Sequence, residues 1–527
     1  MPWTFTGKRK RRRKMGKKRM IGLLLVVLLI FGGCSGKDGE AGKEAETNNS
    51  MVFGMSQFQA NMDPAADWNG WYVYMYGIGE TLVGFDMDMG IEPKLAKEWE
   101  RVDATTWSFQ LRDDVIFHNG EQMDAQDVKY SFDRALERNP RATDLTGITE
   151  VEAVAEDQIL VKTEAANEAF LGAIADPMFI ILSKDQDPTA IETNPVATGP
   201  YKMESVQGNE KVVVNKHEAY WKEPPNLDQI TFRYIKDGNT RAMALQNGEI
   251  DGANYLPINQ LAAFREKEDY RVLETESLRV VMNFFHFENP HLKDPLVRKA
   301  LTLAVNAEEY GEDLLDRSAV PAEGPFPSSL PFGGEGLNKE SFDPQKSKEL
   351  LAEAGYEEKD GKMMKDGQPL VLRLAYYTTR AELPILAEAM QAQLKEIGVD
   401  VELESYEGLY DVLSSGDYDM ALYSVNTATT GDPKGYLETY FTTEGSTNFA
   451  RYSNEEVDRL VEELDEESDP EKRHQTALEV QQILLDDAAS MFLLTPKLNI
   501  VVQSDITGIE MYPVEYYLIT SGVDRLE

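Results

Sequence analysis

A single cysteine, Cys34, serves a chain of 527 residues. No intrachain disulfide can form, so the fold must rest on a hydrophobic core that stands without covalent staples. The same count removes cysteine-based zinc sites, and the place of Cys34 near the N-terminus leaves no cysteine nucleophile in the body of the chain. Hydrophobic residues make up 42% of the sequence, enough for full globularity. Residues 34–527 are too many for one ordinary core and imply two or three domains.

Cys34 follows a basic run, Lys8 to Arg19, and an unbroken apolar stretch from Met20 to Phe31. About a dozen apolar residues suit the h-region of an export signal and fall short of the ~20 that span a bilayer. Gly32-Gly33 precede the cysteine, and a polar Ser35-to-Ser50 stretch follows. This order resembles a bacterial lipobox, although Phe31 stands where an aliphatic residue is usual. The expectation is a signal peptide over 1–33, lipidation at Cys34 and a flexible tether over 34–50. The chain would then be extracytoplasmic and lipid-anchored to the cell membrane. A start at Met15 would leave a more ordinary signal, with Lys17, Lys18 and Arg19 as its basic region.

Asp and Glu total 92 against 53 Lys and Arg, a net charge of −39. Loss of the ten basic residues before Cys34 makes the remainder more acidic still. Such a surface repels phosphates, so nucleic acid is excluded as a partner.

Thr106 to Arg112 alternates as a strand, and Asp124 caps a helix through Val128, Phe132 and Leu136. Further strands are expected at Gln158 to Thr163, Gly208 to Lys216 and Gln229 to Tyr234. In the second half Pro369 to Tyr377 reads as a strand. Leu383, Leu386, Met390, Leu394 and Ile397 share one helical face, Gly398 stops that helix, and Val399 to Glu404 is the next strand. That is a βαβ unit with a parallel pair. Asp360-Gly361 and Asp366-Gly367 are hairpin-type turns. Ser453 with Glu456, and Ser468 with Pro470 and Glu471, read as capping boxes.

Motifs of enzymes are missing. There is no phosphate-binding Gly-x-x-x-x-Gly-Lys loop, no Gly-x-Ser-x-Gly elbow and no His-Glu-x-x-His, and Gly77-Ile-Gly79 lacks the third glycine of a dinucleotide fingerprint. Among five histidines only His286 and His291 are close, and Asn289-Pro290 between them breaks any helix that could present both to a metal. His118, before the Asn119-Gly120 turn, reads as a surface residue. No catalytic residue, metal ligand or cofactor is assigned.

Several segments taken in order resemble the family 5 extracellular solute-binding proteins, the peptide- and nickel-binding components of ABC importers. They are Trp107 to Gly120, Asp124 to Arg134, Ala197-Thr-Gly-Pro-Tyr201, Asn215 to Trp221, Gly248-Glu-Ile-Asp251, Asp294 to Ala300, Leu350 to Tyr356 and Asn448 to Asn454 with Val457-Asp458. Trp107, Phe109 and Phe117 also read as core, and Tyr220-Trp221 as packing. The resemblance implies an α/β, two-lobed periplasmic-binding-protein type II fold with an extra inserted α+β subdomain. Lobe I would comprise 51–82, 191–277 and 498–527, the inserted subdomain 83–190 and lobe II 278–497. It implies a monomeric receptor that captures a nickel or other metal chelate, or a di- or oligopeptide, in the interlobe cleft. The solute then passes to an ABC permease and ATPase complex. The rival reading is a surface lipoprotein hydrolase using carboxylates and a bound metal.

Peptide binders of this family carry an aspartate shortly before an Asp-Pro pair, for the peptide's ammonium. Counting back from Asp432-Pro433, that place falls near Thr429, and a hydroxyl cannot offset the desolvation of a buried ammonium. Unless Asp432 swings in, an ordinary peptide is disfavoured. Nickel-binding members show arginines at the end of the inserted subdomain; here Ala175 to Leu182 has none, so a carboxylate-bearing chelate would lose a clamp. Ligand contacts are expected at Trp68, Asn69, Trp71 and Tyr72, and at Arg380, Tyr423, Asn426, Thr427 and Thr429.

Overall fold

The computed structural model describes residues 49–526 apart from Glu335. The signal, Cys34 and most of the tether lie outside the described residues. Among the described residues no helix is long and apolar enough to cross a membrane.

Two β-sheet systems are joined through one long strand, Ser490–Gln503. In the first, Ser50–Met55 lies parallel to Gln229–Tyr234 and to Gly252–Asn254, and the meander continues antiparallel through Lys211–Lys216 to Tyr201–Gln207. In the second, Arg279–Phe285 pairs antiparallel with Met420–Asn426, and Val371–Tyr377 lies parallel to both Met420–Asn426 and Asp400–Tyr406. The long strand pairs by Ser490 to Leu494 with Arg279–Phe285, and by Lys497 to Gln503 with Tyr270–Glu276. Among the described residues the chain therefore passes between the halves at two places, around Ser277-Leu278 and around Thr495 to Lys497. The crossings are stitched together: the Ser277 backbone N–H and hydroxyl both donate to the Pro496 carbonyl, at 3.0 and 2.7 Å. Pro496 has no N–H to give the ladder, which thins the hydrogen bonding where the halves join.

A separate four-stranded antiparallel sheet, ordered Ala96–Asp103, Thr106–Leu111, Gln158–Thr163 and Ile148–Ala155, carries the helix Ala125–Arg138. Asp124 starts that helix with a reciprocal cap: its carboxylate accepts from the N–H groups of Gln126 and Asp127, while Asp127 accepts from Asp124 N–H. Phe109, on its strand, and Phe117, in the loop that follows, are both buried.

The βαβ unit forms as its pattern dictates. Val371–Tyr377 runs parallel to Asp400–Tyr406, and the helix Glu382–Glu396 buries Leu383, Leu386, Met390 and Leu394. Gly398 ends it at φ +81°, a conformation that favours glycine. Both Asp-Gly turns place their two central residues at positive φ and close hairpins. Two caps differ from expectation by one residue. Asn454, not Ser453, accepts from the Glu456 and Val457 N–H groups, and Ser453 instead meets the Thr443 hydroxyl at 2.9 Å. Asp469, not Ser468, caps the last helix, because Pro470 takes its first position and fixes the preceding residue as the cap.

Candidate ligand cleft between the halves

A cavity of about 520 Å³ opens beside the crossings, within the range of small-molecule sites. One wall comes from the first half: Ser56, the helix Asn69–Met75 with Trp68 before it, and the Asn254-Tyr255 turn. The opposite wall is Arg279, at the start of its strand just past the crossing, with Arg380, Asn426 and Thr429. Arg141, Asp176 and Glu515, with Met55 and Gln57, complete the lining.

Trp68, Trp71, Tyr72, Arg380, Asn426 and Thr429 thus share one cavity. The other expected contacts lie elsewhere. Asn69 is buried, its carbonyl oxygen accepting from Gln59 at 2.7 Å. The Thr427 hydroxyl and N–H both donate to the Leu278 carbonyl, pinning that loop to a crossing. Tyr423 lines an adjoining space with Arg279 and Arg380.

Three guanidiniums face two carboxylates. Arg141 lies 3.5 Å over the Trp68 ring and pairs with Asp176 at 2.8 Å. Arg279 pairs with Glu515 at 3.1 Å across the two halves. Arg380 is half-buried, and its guanidinium makes neither a salt bridge nor a hydrogen bond to any described residue. Buried polar atoms without partners belong to the same lining side chains: Trp71 Nε1, Arg141 Nη1, Ser56 Oγ and Asn426 Oδ1. The first two can only donate. The absence of arginine from Ala175 to Leu182 therefore does not empty the clamp, since Asp176 within that stretch draws in Arg141 from a different helix.

Tyr255 sits at φ +47°, a strained backbone for an aromatic residue. The buried Arg241 holds it there, donating to the carbonyls of Tyr255 at 2.6 Å, Asn254 at 2.9 Å and Ile235 at 2.5 Å. Burial, then the nearby Glu515 carboxylate, pushes the Tyr255 phenol well up, so it stays a neutral donor.

Asp432 is committed. Arg473, itself buried, donates to it at 2.5 and 3.2 Å, and the Lys434 N–H adds a third bond at 2.9 Å. Tyr220 and Trp221 also have work inside the protein, donating with Thr198 to the buried Glu80 carboxylate at 2.7, 2.9 and 3.0 Å.

The histidines are dispersed. His291 meets the Tyr356 hydroxyl at 2.7 Å, and His286 packs edge-on against Tyr418. His118 is half-buried and not the fully exposed residue its turn suggested: its ring packs edge-to-face on His217 at 4.9 Å, and both rings reach the Gly199 carbonyl. Burial pushes the His118 imidazole down to about 3. Among the described residues no three His, Cys, Asp or Glu side chains stand where they could hold a metal ion.

The region carrying the small four-stranded sheet also touches the second half. A Cβ added to Gly172 would lie 1.8 Å from the Thr430 carbonyl oxygen, so the loop after Thr429 packs on bare backbone there.

Comparison with known proteins agrees with this architecture. Residues 90–448 match the bacterial extracellular solute-binding proteins, family 5 Middle. The nickel-binding periplasmic protein of Escherichia coli (strain K12) is 32% identical over 361 residues, 65% of this chain and 69% of the relative. The glutathione-binding protein GsiB of Pectobacterium atrosepticum is 28% identical over 82% of this chain and 86% of its own. The crystal structure of a nickel ABC transporter from Bacillus halodurans superposes with a TM-score of 0.81 at 28% identity, over 90% of this chain and 99% of that one. The two halves are the lobes of an α/β periplasmic-binding-protein fold. The chain belongs to the bacterial extracellular solute-binding proteins of family 5.

Proposed function

We propose that this protein is the solute-capturing lipoprotein of an ABC importer, anchored through Cys34, and that its solute is a carboxylate-bearing metal chelate. The lobes would be the segments named from sequence: 51–82, 191–277 and 498–527 against 278–497, with 83–190 as the inserted subdomain. The observation that carries the solute class is the surplus of donors in the cleft. Arg380 is unpaired, Arg141 Nη1 and Trp71 Nε1 are buried without partners, and both lining carboxylates are already spent on arginines. Unpaired buried donors call for acceptors on the ligand, and a guanidinium matches a carboxylate best.

An ordinary peptide fits less well. Its ammonium would need a free carboxylate, and Asp176, Glu515 and Asp432 are all paired. The protein offers no ready metal-ligand cluster among the described residues, so a metal would arrive wrapped in its chelator. The named relatives bind nickel or glutathione, and glutathione carries two carboxylates.

Calorimetric titration with nickel–methylglycinediacetate, and with a neutral tripeptide, tests this reading. Saturable binding of the chelate with none of the tripeptide is expected; the reverse order would sink the chelate assignment. For the anchor, Cys34→Ser should move the protein from the membrane fraction to the soluble fraction, and retention on the membrane would refute lipidation there.

A further inference from the structure

A second cavity, about 540 Å³, adjoins the first through Arg279 and Arg380, which line both. Its other walls come from lobe II alone: Tyr377 and Tyr423, whose rings lie 5.4 Å apart, and the Gly408-to-Asp411 turn. Ser424 lies there too, 4% exposed, with its buried hydroxyl lacking any partner. A buried, unsatisfied hydroxyl costs free energy unless a ligand or water meets it. The space is thus lined by hydroxyl-bearing side chains and by Arg279 and Arg380, with Asp411 as the one acid among its lining residues.

The unpaired Arg380 stands between two compartments. A solute confined to the first would leave the Ser424 hydroxyl without a partner and the space between Tyr377, Tyr423 and Arg380 unfilled. Resting on the cleft reading above, we infer that the solute is longer than a compact chelate: it carries a further oxyanion-bearing arm that passes Arg279 and Arg380 and ends among Tyr377, Tyr423 and Ser424. The second compartment is then a specificity site, selecting chelates with a pendant carboxylate over those without one.

Gly408 gives the means to test this. A Cβ built on it meets no heavy atom within 4 Å, and the residue lines only the second cavity, so a large side chain there can fill the space. Thr379, exposed on the same cavity, offers an independent filler. Three nickel chelates share one aminotriacetate head and differ in their arm: methylglycinediacetate has a methyl, glutamate-N,N-diacetate a carboxyethyl, and N,N-bis(carboxymethyl)lysine an aminobutyl group. The carboxyethyl chelate should bind wild type about tenfold or more tighter than the methyl one, as expected for one added charge-assisted contact. In Gly408→Trp and in Thr379→Trp, each checked for an unchanged melting curve, that ratio should collapse towards one. Equal affinities in wild type, or a ratio kept in the filled variants, would overturn the inference while leaving the cleft reading in place. Preference for the aminobutyl arm would overturn the oxyanion assignment. Failure of all three chelates to bind would bring down the cleft reading itself, and this inference with it.

Discussion

Arg380 and His118 show how single side chains take different roles from burial and partners. Arg380 has a guanidinium committed to nothing in the protein, so its removal should leave the fold alone and weaken the solute. A hydrogen bond to a charged group contributes about 1.5–3 kcal/mol, so Arg380→Met should lower chelate affinity ~10- to 100-fold with an unchanged melting temperature. Unaltered affinity by calorimetry would remove Arg380 from the clamp. His118 works in the opposite direction. Burial against His217, with Lys202 nearby, holds its folded-state pKa near 3, below the ordinary 6.5. The unfolded chain takes the proton first, so the stability tied to neutral His118 is whole above pH 6.5 and drains as pH falls towards 3. The melting temperature of His118→Gln should therefore fall less steeply than that of wild type between pH 7 and 4. Parallel slopes would contradict a buried neutral imidazole. Neither role could be read from neighbours in sequence: the Asn119-Gly120 turn made His118 look exposed, and what buries it is the Gly199 and His217 region far along the chain.

At the scale of elements, local chemistry was legible and long-range placement was not. The βαβ unit, the Asp-Gly hairpins and the Asp124 cap formed where the pattern put them, because each is decided within a few residues by periodicity, positive φ or a capping acceptor. The Ser453 and Ser468 caps slipped by one because Asn454 and Asp469 compete as acceptors one position closer to the helix. The clamp was hidden for a different reason. Arg141, Arg279 and Arg380 stand on three elements brought together only by the two crossings and the packing of the small sheet, with no spacing rule linking them. The aromatic loop was visible, since Trp68, Trp71 and Tyr72 crowd one short helix start, yet its partner Arg141 was not. The loop after Thr429 packs against a glycine. Gly172→Ala must push the Thr430 loop away, and since Thr429 lines the cleft, solute affinity should drop by about an order of magnitude, with a lower melting temperature of the free protein as well. Wild-type affinity in that variant would show that the contact is dispensable to the bound state.

The whole molecule is two lobes connected by two strand crossings, with the donor-rich cavity between them. A ligand that contacts both lobes stabilises their closed arrangement by its differential affinity for it, and the Arg279–Glu515 pair already bridges the two at the crossing. The acidic surface and the cleft differ in charge: the exterior repels anions at large, while in the cleft three guanidiniums stand against two carboxylates. Native mass spectrometry of the protein purified from its own cells tests this account most directly. It predicts a bound species with a transition-metal isotope pattern and a mass that includes a polycarboxylate chelator, diminished in Arg380→Met. A bound mass matching neutral peptides, unaffected by that substitution, would contradict it.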